Sequence, residues 1–382
     1  MTPIYLDNNA TTPPLPEVVE TVARVQRDAF GNPGSRHSFG RQARRVLEAS
    51  RESIATILQA DPAEVVFTSG GTEANSLALR GLARGPSGTV LATPGEHPSV
   101  HETCLSLVSR GWSLHELPLT EHGELTDAAL ATLPWSEIRL ATAMLAHNET
   151  GVVQRLESLA KHCRLHSIPW HVDAVQAVGR IPVCFHDLGA TTLSCAAHKF
   201  HGPRGIGALL VREGTRLEPQ LLGGHQEAGR RAGTELTALA AGMSRALELW
   251  QAAEAERITT VTALRDQLQQ ALIEHCAPVI VPGMGARRLP NTLNIAFPGL
   301  DGEALLVALD LAGIACSLGG TCASGALEPA PVLGAMGFAE DVRKSAVRFS
   351  LSVLNTPAEV EAAITRVVAV VKRLRAAAQR LS

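Results

Sequence analysis

The chain has 382 residues, 45% apolar and 19% charged, the balance of a soluble globular protein that is too long for one ordinary core. Its 34 basic and 37 acidic side chains leave a formal net charge of −3, which gives no electrostatic case for nucleic acid or an anionic membrane as the main partner. No apolar run is long enough to span a bilayer, and residues 1–7 lack the basic-then-apolar pattern of a secretory leader, so a cytoplasmic location is expected. The seven cysteines are odd in number and contain no Cys-x-x-Cys pair, which argues against a disulfide framework or a zinc ribbon and for a reducing compartment.

Short apolar runs alternate with helical patterns through the first two-thirds of the chain. Strands are expected at 64–68, 89–93, 113–117, 138–145, 170–173, 191–195 and 206–211, with helices at 72–82 and 156–166 among them. This alternation predicts an α/β fold with a mostly parallel sheet covered by helices. One long helical stretch from 235 to about 276 then interrupts it. Beyond it, strands near 279–281, 291–297, 314–316 and 346–350 mix with helices at 303–312 and 356–381, which predicts a smaller α+β domain. The last helix opens on Thr356-Pro-Ala-Glu359, a capping box with proline at the first helical position. A large domain over 15–255 and a small one over 1–14 and 256–382 are expected.

Only four lysines occur: Lys161, Lys199, Lys344 and Lys372. Lys199 alone sits between an expected strand and a glycine-rich turn, in weakly charged surroundings. A desolvated lysine there has a lowered pKa and can bond an aldehyde. Asp173 closes the apolar strand before Gln176. A carboxylate in that place can keep a pyridine nitrogen protonated, although an aspartate at a strand end by itself is more often a turn or cap residue. Thr68-Ser-Gly-Gly71-Thr72-Glu-Ala-Asn75 joins a strand to a helix, whose free N–H groups suit a phosphate; an ordinary turn has the same pattern. Cys322 lies among small residues, the setting of an accessible thiol, whereas Cys316 has the setting of a buried strand residue. His162 and His166 stand four apart with no third ligand in register, so a solvated helix face is expected and no metal site.

Together these stretches resemble the cysteine desulfurases of the nitrogen-fixation and iron–sulfur-cluster type, class-V aminotransferases of the type I pyridoxal-phosphate fold. The resemblance also rests on Tyr5-Leu-Asp-Asn-Asn-Ala-Thr-Thr-Pro13, Gly31-Asn-Pro-Gly-Ser35, Glu96-His97, Asn148-Glu-Thr-Gly151, His198-Lys199, Arg231-Ala-Gly-Thr234, Cys322-Ala-Ser-Gly-Ala-Leu-Glu-Pro329 and Val347-Arg-Phe-Ser350, in family order along the chain. It implies that pyridoxal 5′-phosphate is bonded by Lys199, which also moves the substrate Cα proton. Asp173 would meet the ring nitrogen, Gln176 the ring oxygen, and His97 the ring face and the substrate thiol proton. Gly71, Thr72 and His198 would hold the phosphate, with Thr234 reaching it from the other subunit of a homodimer. Asn148 would lie beside cofactor and substrate, and Arg348 would bind the carboxylate of L-cysteine. Cys322 would take the sulfur as a persulfide, for an acceptor such as an iron–sulfur scaffold protein. The chain departs from the family at Ala196, where serine is usual, and at His147, where asparagine is usual. It departs again at Leu318-Gly-Gly-Thr321, before the cysteine, and at Ser352-Val353, after the arginine. A selenocysteine lyase, another β-lyase or an aminotransferase on the same scaffold would need Lys199 and Asp173 but not Cys322. A non-catalytic scaffold would need none of the three.

Overall fold

The computed structural model describes residues 2–319 and 330–380. The twelve strands of the described residues are β1 (Ile4–Tyr5), β2 (Val65–Thr68), β3 (Thr89–Ala92), β4 (Ser113–Glu116), β5 (Ile138–Met144), β6 (Trp170–Asp173), β7 (Thr192–Ala196), β8 (Gly207–Val211), β9 (Thr292–Ala296), β10 (Ile314–Ala315), β11 (Ser317–Leu318) and β12 (Ala346–Ser350). Strands β2 to β8 form one seven-stranded sheet in the order β2-β8-β7-β6-β5-β3-β4. All neighbours are parallel except at β8, which runs antiparallel to both β7 and β2. The reversal comes from the connection: residues 197–206 are too few for a crossover helix, so β7 and β8 pair as a hairpin. Strands β2, β6, β7 and β8 are buried at every position, as strands covered on both faces must be. The α/β class and mostly parallel sheet expected from the alternation are present.

The last third builds a second, smaller arrangement. Strands β11, β12 and β9 make an antiparallel sheet, and β10 pairs in parallel with β1 at the start of the chain. Two apolar cores match this division. The larger contains Leu47, Ile54, Trp170, Phe185 and Phe200. The other joins Ile4 and Leu6 to Leu268, Phe297, Phe349 and Val367. The capping box at Thr356 forms as the sequence predicts, with Glu359 N donating to Thr356 Oγ1 and Thr356 N to Glu359 Oε2.

Three expectations are corrected. The stretch from 235 to 276 is two helices, Thr237–Gln251 and Glu254–His275. The first packs its alanine-rich face on the large core and the second turns Leu264, Leu268 and Leu272 into the small one, so the change of partner breaks the helix. The strand near 279–281 is reduced to a single bridge, Ile280 to Ala296. Cys316 is only partly buried and lies in no strand, because the chain there leaves β1 and crosses to β12. On the helix face expected to be solvated, His166 is exposed and His162 half-buried, and both rings stack on Trp135, at 4.7 and 5.5 Å between centroids. Helices Pro16–Asp28, Ser38–Leu58 and Pro98–Val108 add to the elements expected. No described helix is long and apolar enough to cross a membrane.

Candidate active site

In an open α/β sheet, ligands bind outside the carboxyl ends of the parallel strands. Here that edge gathers nearly every residue singled out in the sequence. Asp173 ends β6, His97 follows β3, Asn148 follows β5, and His198 and Lys199 form the single turn after β7. Gly71 and Thr72 open the helix Gly71–Leu82 that follows β2. With Gln176, all of them line one cavity, whose wall also includes Asn75, Ser99, Met144 and Ala196.

Lys199 Nζ donates to the carbonyls of Asn9 and Ala10, at 2.7 and 2.9 Å. Burial, assisted by the positive charges of Arg180 and Arg348, pushes its pKa down to about 7. A large share of this amine is therefore neutral near pH 7, as a nucleophile must be. Arg180 is itself buried, without a carboxylate partner among the described residues: it donates to Asn9 Oδ1, Asn8 O, Lys199 O and Gln176 Oε1. Accepting through Oε1 fixes the Gln176 amide so that Nε2 is its donor, here toward Asn9 O.

Asp173 is buried and its oxygens accept from Val175 N at 2.9 Å and Asn75 Nδ2 at 2.7 Å. Asn75 Oδ1 in turn lies 2.9 Å from His171 Nε2, and burial pushes that histidine down to about 4, so the ring is neutral. Among the described residues no cation is paired with Asp173. A buried carboxylate oriented by two neutral donors and left without a counterion fits a protonated ring nitrogen.

At the other end, the helix Gly71–Leu82 presents its first N–H groups to the cavity. A Cβ at Gly71 would come within 2.7 Å of Val175 Cγ2, so glycine there lets the helix start close on the loop after Asp173. His198 places Nδ1 3.1 Å from Thr11 Oγ1, and burial and nearby cations push it down to about 4. Ala196 turns a methyl, not a hydroxyl, to this wall, so it offers no hydrogen bond to an anion there. His97 accepts from Ser99 N through Nδ1 at 3.1 Å, and burial lowers its pKa. In the neutral tautomer that bond selects, Nε2 carries the proton. His147 is likewise neutral, pushed down to about 4 by burial, with Nε2 bonded to Gly95 O and Nδ1 accepting from Glu149 N. A ring-nitrogen partner, a nucleophilic amine and a helix N-terminus in one cavity are the donor set that pyridoxal phosphate requires.

Arg348 stands beside this wall on β12. Its Nη1 donates to Glu149 Oε1 at 2.8 Å and Asn148 O at 3.2 Å, and its Nη2 to Asp7 Oδ1 at 2.8 Å. Glu149 and Asp7 were not expected there from the sequence. Asn9 was missed as well. It ties the cavity to the small sheet, donating to Asn148 O and Thr292 Oγ1 and accepting from Arg180 and Asn291. Thr234 is exposed, and it is not among the residues that line this chain's own cavity. Cys322 lies outside the described residues. Cys316 sits close enough to Asp7 and Arg348 to feel their charges, and burial pushes its thiol up to about 12.

The model of the family described as aminotransferase class-V matches residues 4–363. The chain is 42% identical over 378 residues to a cysteine desulfurase of Trichormus azollae, covering 98% of this chain and 94% of that one. It superposes on a solved NifS-like protein with a TM-score of 0.91 at 32% identity, over 98% of this chain and 100% of the other. A protein named SspA, solved in complex with cysteine, superposes with a TM-score of 0.79 at 29% identity, over 92% and 99% of the two chains. The chain belongs to the class-V aminotransferases and, within them, to the cysteine desulfurases, enzymes that use pyridoxal phosphate.

Proposed function

We propose that this enzyme converts L-cysteine to L-alanine and leaves the sulfur on Cys322 as a persulfide. The observation that carries this reading is the half-neutral Lys199 amine, sharing one cavity with the counterion-free carboxylate of Asp173. When bound, pyridoxal phosphate supplies the aldehyde that takes an amine and the ring that accepts an electron pair.

The chain's own residues bind and orient around that chemistry. Asp173 would hold the ring nitrogen, Gln176 Nε2 the ring oxygen, and the Gly71 and Thr72 amides with His198 the phosphate. Lys199 would hold the cofactor through its aldehyde, and its amine would carry the proton to and from the substrate Cα. His97 would meet the cofactor ring and offer a proton from Nε2. Asn148 lines the substrate space. Cys322 Sγ attacks the substrate sulfur as a thiolate: an S–S bond forms, the substrate C–S bond breaks, and Cβ takes a proton. The cysteine held by SspA supports the substrate. The persulfide would pass to an acceptor protein of iron–sulfur or other thiolation chemistry, in the cytoplasm. The division of the two apolar cores supports a large domain over 15–255 and a small one over 1–14 and 256–382.

Arg348 would grip the substrate carboxylate with two parallel hydrogen bonds, a geometry that lysine cannot reproduce. Arg348→Lys is expected to raise the KM for cysteine by roughly tenfold or more, about 1.4 kcal/mol. An unchanged KM in steady-state assays would place the carboxylate elsewhere.

Thr234 would close the cavity of a second subunit. Its own segment exposes Leu221, Leu222 and Leu236, and the aromatic pair Phe30–Phe39 is also exposed, apolar surface that suits a partner. The protein is expected to run as a homodimer in light scattering. A fully active monomer would contradict the role of Thr234.

A further inference from the structure

The cation assigned to the substrate carboxylate is already engaged. Arg348 commits Nη1 to Glu149 Oε1 and Nη2 to Asp7 Oδ1, both at 2.8 Å, while its Nε is buried without a partner among the described residues. A substrate carboxylate that takes two parallel N–H groups must draw at least one from a resident acid. The two acids are not equivalent. Glu149 has the less exposed side chain, 12% against 21% for Asp7, and its second oxygen, Oε2, is buried with no hydrogen-bond partner among the described residues. Its remaining support is neutral, from Asn148 Nδ2 at 2.6 Å. A Cβ at Gly319 would fall 2.7 Å from Oε2, so the backbone is packed directly on it.

Charge decides how the site can respond. Arg348 faces Glu149 from β12, Asp7 from the segment after β1 and Lys199 from the turn after β7; His147, which accepts from Glu149 N, is neutral. With both acids ionised, the guanidinium is already outnumbered. A third carboxylate would add a second unpaired negative charge in a desolvated place, which is costly unless one acid is neutralised. Burial raises the pKa of Glu149 despite the adjacent Arg348, so its proton affinity is already in the right direction.

We propose that Glu149 is the resident carboxylate that the substrate displaces from Arg348, and that it takes up one proton as the substrate carboxylate docks. The new O–H forms on the glutamate. Its proton comes from solvent or from the ammonium of the incoming amino acid, which must shed one before its amine can react. Glu149 thus acts as a positioning and selectivity residue: it fills the arginine until a carboxylate ligand replaces it. This inference rests on the assignment of Arg348 to the substrate carboxylate.

The test uses the holoenzyme and 3-mercaptopropanoate, cysteine without its amine, titrated calorimetrically in buffers of different ionisation enthalpy. The wild type is expected to take up about one proton per site at pH 8, and its affinity to fall by up to about tenfold per pH unit as Glu149 ionises. Glu149→Gln, a neutral isostere, should bind with no such uptake, nearly independently of pH, and roughly tenfold or more tighter at pH 8. Uptake unchanged in Glu149→Gln, weaker binding by that variant, or no uptake by the wild type would overturn the proposal. So would uptake that vanishes in Asp7→Asn but persists in Glu149→Gln, since Asp7 would then be the acceptor. Arg348→Gln serves as the separate control: if it binds the probe as the wild type does, the assignment of Arg348 fails, whatever Glu149 does.

Discussion

Lys199→Ala is expected to lose the visible absorbance of the bound cofactor, its borohydride-reducible bond to the protein, and turnover by about 10²–10⁴-fold or more. The other three lysines offer no substitute. Lys161 and Lys372 are exposed, and Lys344 is a surface residue paired with Glu340 one helical turn away. Lys199 alone of the four lines the cavity, and its pKa is pushed down to about 7, so a large share of it is neutral near physiological pH. The fold should survive the change. The Asn9 carbonyl it releases still accepts from Gln176 Nε2 at 3.0 Å, and removing a partly desolvated amine relieves an electrostatic cost. Circular dichroism and the absorbance spectrum check this together. A variant that keeps a reducible bond to the cofactor would move the nucleophile to another lysine.

The strands of the large sheet were legible because each is a short apolar run bounded by turn residues, and their order of alternation with helices fixed the class. Lys199, Asp173 and Gln176 were legible because each closes or follows such a strand, so local pattern alone sends them to the carboxyl edge. The groups that hold them in place were not. Asn9 meets Asn148, Arg180 and Asn291 across gaps of more than a hundred residues, and no local period records such contacts. Arg180 looks like any solvated arginine until the fold buries it against carbonyls. Glu149 lay inside a matching stretch, yet its pairing with Arg348 appears only when β12 is placed beside the turn after β5. Cys316 was misplaced for a related reason: apolar neighbours mark a strand, but not the point where the chain leaves one sheet for another.

The second large effect is expected at Cys322. Lys199, Asp173 and the cofactor suffice for any aminotransferase or β-lyase on this scaffold, but a desulfurase also needs a nucleophile for the sulfur. The two sulfur candidates in this part of the chain differ in kind. The thiol of Cys316 is pushed up to about 12 by burial, so very little of it is thiolate near pH 8, and its reactivity is correspondingly low. In the sequence Cys322 is flanked by small residues and by glycines at 319, 320 and 325, the setting expected of a nucleophilic thiol. Cys322→Ser should therefore retain the coloured cofactor and bind cysteine, yet lose alanine release by orders of magnitude. Cys316→Ser should keep both activities.

The most direct measurement is peptide mass spectrometry of the enzyme after exposure to L-cysteine without an acceptor, with alanine quantified in the same sample. A persulfide adduct of about 32 daltons on the Cys322 peptide, matched by alanine release and absent from Cys322→Ser, is the predicted result. An adduct on Cys316, or normal alanine release by Cys322→Ser, would contradict it.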